Sequence, residues 1–159
     1  MRDVALFLLL MAAACSDWRC RKVSNYLTFP FMAAGLLYQL LLGTGEAALT
    51  GVLCAFALSL LPTLFRGMGM GDQKLLMAAG AWTSHSEVYL LFLYSLCSCM
   101  LVALCKPERW PRLWGNMILL AAGWSGHHQL WLPGRTSSAL SLPYAVHLLA
   151  ACLFDRLWR

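Results

Sequence analysis

Residues 47–65 read AALTGVLCAFALSLLPTLF, and the residues that follow directly, 66–74, read RGMGMGDQK. The first block carries no charge and is close to the length, about 20 apolar residues, that a helix needs to cross a bilayer core. The second is a polar knot holding Arg66, Asp72 and Lys74, with glycine at 67, 69 and 71. This alternation of apolar block and polar knot decides the fold class, because it recurs along the chain. Of the 159 residues, 60% are hydrophobic and 12% are charged, whereas soluble domains carry about a quarter charged residues. The chain therefore reads as an all-α integral membrane protein, a polytopic bundle of about six transmembrane helices. Residues 1–159 form a single membrane-embedded domain, with no linker, repeat or low-complexity segment.

Outward from that block the same rhythm holds. Val4 to Ser16, extended by Trp18, is a short run that needs its flanking residues or a thinned bilayer to span. The knot Asp17-Trp18-Arg19-Cys20-Arg21-Lys22 follows. Tyr26 to Leu42 is the second run, entered through Ser24 and Asn25, which suit a helix start. Pro30 falls near its first turn, where proline is tolerated. Gly43-Thr44-Gly45 makes a turn, and Pro62 is expected to bend the end of the third run. Leu75 to Trp82 and Val88 to Cys105 are the fourth and fifth runs, separated by the polar turn Thr83 to Glu87. Met117 to Trp124 is too short to span alone, and His127, His128 and Gln129 interrupt it. Leu140 to Phe154 is the last run, opening at Pro143-Tyr144. Ala12-Ala13-Ala14-Cys15 hints at a cleavable leader, but Asp3 cancels Arg2 in the segment before it, so a retained first helix is expected.

Charge sets the orientation. Alternating crossings put Arg19, Arg21, Lys22, Arg66, Lys74, Lys106, Arg109 and Arg112 on one face, eight of the twelve basic residues. The opposite turns hold Glu46 and Glu87 and no base. Basic loops stay in the cytoplasm, so the N-terminus faces outward and the knots of Asp17 and Asp72 face inward. Six crossings leave the C-terminus outside and seven leave it inside; six is preferred, although Arg156 and Arg159 argue mildly the other way. The net charge of +5 is thus read as orientation against membrane lipid, and no nucleic acid partner is expected. The seven cysteines form no CxxC pair and mostly lie inside apolar runs, where cysteine behaves as a small hydrophobe. They offer neither a zinc site nor a disulfide framework.

Two of the seven acidic residues stand out. Asp17 ends the first run and Asp72 opens the fourth, so both lie at one membrane face, where a charge is costly without a role or a partner. Structure alone offers each a use. Asp17 could pair with Arg19 or Arg21, although a carboxylate near a helix C-terminus meets the wrong end of the dipole. Asp72 could cap the fourth helix, for which aspartate is favoured. The alternating glycines are expensive in a helix, so the stretch before Asp72 is expected to be a loop that another chain can approach closely. A phosphate cradle is the weaker reading, since no strand precedes it and no Gly-Lys-Ser/Thr follows. Two neighbouring carboxylates in a low-dielectric site cannot both ionise easily and titrate as a coupled pair. The ionised member can activate water while the neutral one polarises a carbonyl. That chemistry needs no metal and no cofactor.

At these residues the chain resembles the type IV prepilin peptidases. Asp17-x-Arg19-x-Arg21-Lys22-Val23-Ser24-Asn25-Tyr26-Leu27-Thr28 is similar to their first catalytic motif, with Ser24 where proline is more usual. Gly69-Met70-Gly71-Asp72-Gln73-Lys74-Leu75-Leu76 resembles their GxGD motif, Gly80-Ala81-Trp82 follows as in that family, and Pro143-Tyr144-Ala145 resembles the opening of their last helix. The resemblance is poor from about residue 107 to 141. It implies an intramembrane aspartic endopeptidase with Asp17 and Asp72 as catalytic pair at the cytoplasmic face. Gly69, Gly71, Asn25 and Lys74 would bind substrate or shape the loop. It further implies removal of basic leaders from prepilins or pseudopilins, after a glycine, in a bacterial inner membrane, for pilus or secretion assembly. The chain resembles a short member, without the N-terminal paired-cysteine region linked to methylation.

Other readings explain less. Gly123-Trp124-Ser125-Gly126 with His147 imitates a serine protease, but Ser125 is followed by His127, His128 and a Pro-Gly turn rather than by a clear helix. A metal at His127 and His128 is disfavoured because adjacent residues point apart on a helix. His147 is expected to be a hydrogen-bonding group in helix packing. A transporter needs ionisable groups near the bilayer middle, and the runs show almost none. A non-enzymatic membrane assembly or scaffold protein fits the composition but leaves the two aspartate motifs unexplained.

Overall fold

The computed structural model describes residues 2–20, 23–64, 68–105, 111, 115, 118 and 143–158. Among them the chain is all-helical, with α1 Arg2–Cys20, α2 Asn25–Leu41, α3 Gly45–Leu64, α4 Met70–Gly80, α5 His85–Leu104 and α6 Tyr144–Trp158. The chain divides into a unit of Met1–Ser98 with Pro143–Arg159 and a second unit of Cys99–Leu142. Lys106, Arg109, Arg112, Ser125, His127 and His128, with the path of residues 119–142, lie outside the described residues.

Helix boundaries follow the apolar runs with instructive departures. α1 overruns its run at both ends, so Asp17 sits inside the helix rather than after it. Ser24 caps α2, its Oγ accepting the Tyr26 N–H at 3.3 Å. Pro30 lies in the second turn of α2, deeper than expected. Gly43, at φ +74°, turns the chain into α3, in the left-handed region that favours glycine. The glycine-rich loop ends sooner than the sequence predicts: Gly69 is the N-cap of α4, and Gly71 is already helical. The N–H groups of a first turn have no intrahelical partners to lose, so glycine is tolerated there more readily than in a helix interior.

α4 has 11 residues and spans about 17 Å, roughly half the thickness of a bilayer core. Two features let so short a helix serve. First, it meets α3 backbone to backbone. A Cβ on Gly51 would stand 2.3 Å from the Gly80 carbonyl oxygen, and one on Gly80 would stand 2.6 Å from that of Gly51. Small residues at such crossings drive helix association in lipid. Second, the turn that follows is sunk into the protein, with Ala81, Trp82 and Thr83 all buried. Irregular backbone that is buried must be satisfied internally. Gln39, itself buried, donates Nε2–H to the Ala81 carbonyl at 3.1 Å. Thr83 Oγ1 donates to Ala79 O at 2.9 Å, and Trp82 Nε1 to Phe31 O at 2.9 Å.

α1 and α6 run antiparallel. Asp17 meets Ala145 at one end, and Asp3 pairs with Arg156 at the other. Arg2 reaches Glu87 of α5 at 3.1 Å, so α5 starts from this same terminal end and α6 returns to it. Glu87 also accepts the Ser84 N–H at 3.1 Å, as in a capping box. Among the described residues α3 and α5 are long and apolar enough to cross a membrane, with mean hydropathies of 2.0 and 1.9. Only 22% of each span is buried in the protein. Leucines 49, 53, 61, 64, 101 and 104 stand outward, an apolar exterior far larger than a soluble monomer exposes.

Gly51→Leu or Gly80→Val is expected to destabilise the protein by about 2 kcal/mol or more, because backbone rather than a side chain must yield. A Cβ on Gly71 meets Val23 at an ordinary 3.6 Å, so Gly71→Ala is expected to be nearly neutral for stability. Thermal unfolding in detergent compares the three.

Candidate active site

The buried stripe of α1 contains Leu6, Leu9, Leu10, Ala13 and Ala14, and Asp17 is its next member. Spacings of three and four put these residues on one helical face, so helix geometry turns the carboxylate inward, to 6% exposure. Its Oδ2 accepts the backbone N–H of Ala145 at 3.2 Å. Ala145 lies in the first turn of α6, where N–H groups lack helical partners and the dipole favours an anion. Asp17 thus meets a favourable dipole, that of another helix, which the sequence reading missed. The stripe of 6, 10, 13 and 17 was the available signal. Arg19 is exposed and forms no ion pair with Asp17 among the described residues; Arg21 lies outside them.

Asp72 is the third residue of α4 and not its N-cap, which is Gly69. Its carboxylate takes a hydrogen bond from the Gly69 backbone, reaching back over the first turn as a capping-box acid does. A Cβ on Gly69 would stand 3.1 Å from Asp72 Oδ2, so glycine here leaves room for the carboxylate. Asp72 belongs to the polar knot that precedes the apolar run of α4. Its pKa is raised from 3.8 to about 6, chiefly by burial and next by the negative charge of Asp17, against the opposing Gly69 hydrogen bond. Two carboxylates from distant knots of the sequence therefore sense one another.

The remaining expected site residues divide. Lys74 Nζ donates to Asn25 Oδ1 at 3.2 Å and lies 5.3 Å from the centre of the Phe29 ring. This pair ties the first turn of α2 to α4, just beyond Asp72. Gly71 faces Val23, in the connection between α1 and α2. Beside Lys74 a groove of about 210 Å³ opens between Phe29 and Met32 of α2, Phe56 of α3 and Met77 of α4. Its lining is apolar except at the Thr28, Gln73 and Lys74 rim.

A family model described as the type IV leader peptidase family matches residues 4–104, a span that holds Asp17, Asn25, Gly69, Gly71, Asp72 and Lys74. The chain belongs to this family. Its activity is that of a leader peptidase, and it is a membrane-associated protein. No curated protein and no solved structure matches the chain. α6 lies beyond the matched residues, so the contact between Ala145 and Asp17 is known from the structure alone.

The raised pKa of Asp72 has a direct consequence for this leader peptidase. The folded-state value of about 6 lies above the unfolded value of 3.8. The group's stabilising contribution is therefore complete below the unfolded value and is lost as pH rises through the folded one. Asp72→Asn removes that loss. The variant is expected to unfold at a higher temperature than the wild type at about pH 8, with the advantage gone near pH 4, in detergent melts across that range.

Proposed function

We propose that this leader peptidase is an aspartic endopeptidase in which Asp17 and Asp72 are the catalytic pair. One observation carries the reading: Asp72 is pushed up to about 6 by burial and by the charge of Asp17. One proton is thereby held on the pair up to about pH 6, and a pair that shares a proton is the state in which one carboxylate deprotonates water and the other polarises the scissile carbonyl. Burial of Asp17 at 6% exposure excludes bulk water from its side of the site, which strengthens both effects.

The substrates are prepilins or pseudopilins, cut after a glycine that ends a basic leader. The apolar groove beside Lys74 suits an extended or apolar peptide segment, and Gly69 leaves room for the Asp72 carboxylate. Asn25 and Lys74, bonded to each other, fix the position of α2 against the loop. The chain crosses a bacterial inner membrane six times as one domain, with both aspartates at the cytoplasmic face. The antiparallel run of α1 and α6 and the shared end of Arg2 and Arg156 favour this even number, and the exposed Arg19 suits anionic headgroups.

Asp17→Asn and Asp72→Asn are each expected to abolish leader removal, a loss of about a thousandfold or more, while membrane insertion is kept. Chelators are expected to leave cleavage intact. Mass spectrometry of the pilin N-terminus after co-expression reads both results; near-normal processing by either variant removes the assignment. Orientation has its own test. In a cysteine-free background Met68→Cys is expected to be labelled from the cytoplasmic side only and Glu46→Cys from outside only, and the reverse pattern contradicts cytoplasmic cleavage.

A further inference from the structure

Asp17 is held by a backbone group of a helix that lies 128 residues further along the chain. That hydrogen bond exists only if the first turn of α6 is held in place, and two side-chain contacts with α5 do this. Tyr144 Oη lies 2.9 Å from Ser95 Oγ, and His147 Nδ1 lies 2.8 Å from Ser98 Oγ. Ser95 and Ser98 share one face of α5, and Tyr144 and His147 share one face of α6. The direction of the first bond follows from its neighbour. Ser95 Oγ also donates to Phe92 O at 2.8 Å, and a hydroxyl has one proton, so Tyr144 is the donor to Ser95. Ser95, Tyr144 and His147 are all buried, where an unmade hydrogen bond is costly. The register of α6 on α5 is therefore sharply set, and Ala145 stands next to one of its anchors.

We infer that Tyr144 and His147 are positioning residues, which pin the first turn of α6 to Ser95 and Ser98 so that Ala145 N–H holds the Asp17 carboxylate in place. This rests on the reading of Asp17 as catalytic. On the elements packed against Asp17, the titratable groups towards this end are Asp72 and Lys74 of α4, Tyr26 of α2, and Tyr144 and His147 of α6, with Arg19 and Cys20 on α1 itself. Asp72 is the one on which the charge of Asp17 is seen to act.

The variants are Tyr144→Phe, which leaves Ser95 its bond to Phe92, and His147→Leu, with His147→Asn as the conservative control that can still present a polar atom to Ser98. Two readouts are used on membrane-inserted protein. The infrared carboxylate stretch of Asp17, identified by its loss in Asp17→Asn, reads the hydrogen bond to Oδ2 and needs no substrate. Leader cleavage gives kcat and KM. Tyr144→Phe and His147→Leu are expected to shift the Asp17 band and to lower kcat by about tenfold, with KM within about twofold, since substrate contacts are unchanged. His147→Asn is expected to restore both. An unshifted Asp17 band in both Tyr144→Phe and His147→Leu overturns the inference, even if those proteins are less stable. Wild-type protein that does not cleave, while the band shifts in both variants, counts against the peptidase reading and leaves the positioning role supported.

Discussion

The backbone contact between Gly51 and Gly80 is what lets an eleven-residue helix take its place in this bundle. So short a helix leaves irregular chain buried in the protein, and its backbone groups must find partners there. Close approach of α3 brings the turn after α4 under cover, where Gln39 and Thr83 complete its carbonyls. Gly35 belongs to the same device, since a Cβ there would press on the Trp82 ring at 2.8 Å. With its far end sunk and fixed, α4 presents Asp72 from its first turn, where the side chain is half-buried.

Both carboxylates at the site are met by backbone N–H groups of helix first turns and, among the described residues, by no basic side chain. The choice matters chemically. An arginine or lysine within contact distance would hold a carboxylate ionised well below its usual range, by about 1–3 pKa units. A peptide N–H is a partial charge and a fixed dipole, enough to orient an anion and too weak to forbid protonation. Burial then separates the two members, with Asp72 bearing the cost of the charge on Asp17. The formal bases of the region stand elsewhere: Arg19 is exposed, and Lys74 is engaged with Asn25 and Phe29.

Much of this was legible in the residues. Apolar blocks located the helices, because each needs a hydrophobic length and the polar knots interrupt it. Ser24 announced the start of α2, and His147 was expected to be a packing hydrogen bond, as Ser98 makes it. The aspartate motifs were read from their order and membrane face; what the structure adds is that their charges interact. The rest depended on contacts between distant segments. Nothing local tells that the Gly51 and Gly80 backbones touch, or that Gln39, a lone polar residue in an apolar run, serves Ala81. The start of α4 was placed too late because glycine cost was applied to a first turn, where that cost is smallest. Asp17 looked poorly placed against the dipole of its own helix, and only the fold supplies the dipole of α6.

The antiparallel pairing of the first and last helices also bears on how the protein comes into being. A membrane chain is made and inserted from its N-terminus, and domains assemble in that order during synthesis. Asp17 precedes its hydrogen-bond donor, Ala145, by 128 residues. The first turn of α6 therefore reaches it only after α1 to α5 have been made, and until then the buried carboxylate lacks that peptide N–H. The contact closes together with the ion pair of Asp3 and Arg156 at the other end of the same two helices, so α1 is clasped to α6 in one late step of assembly.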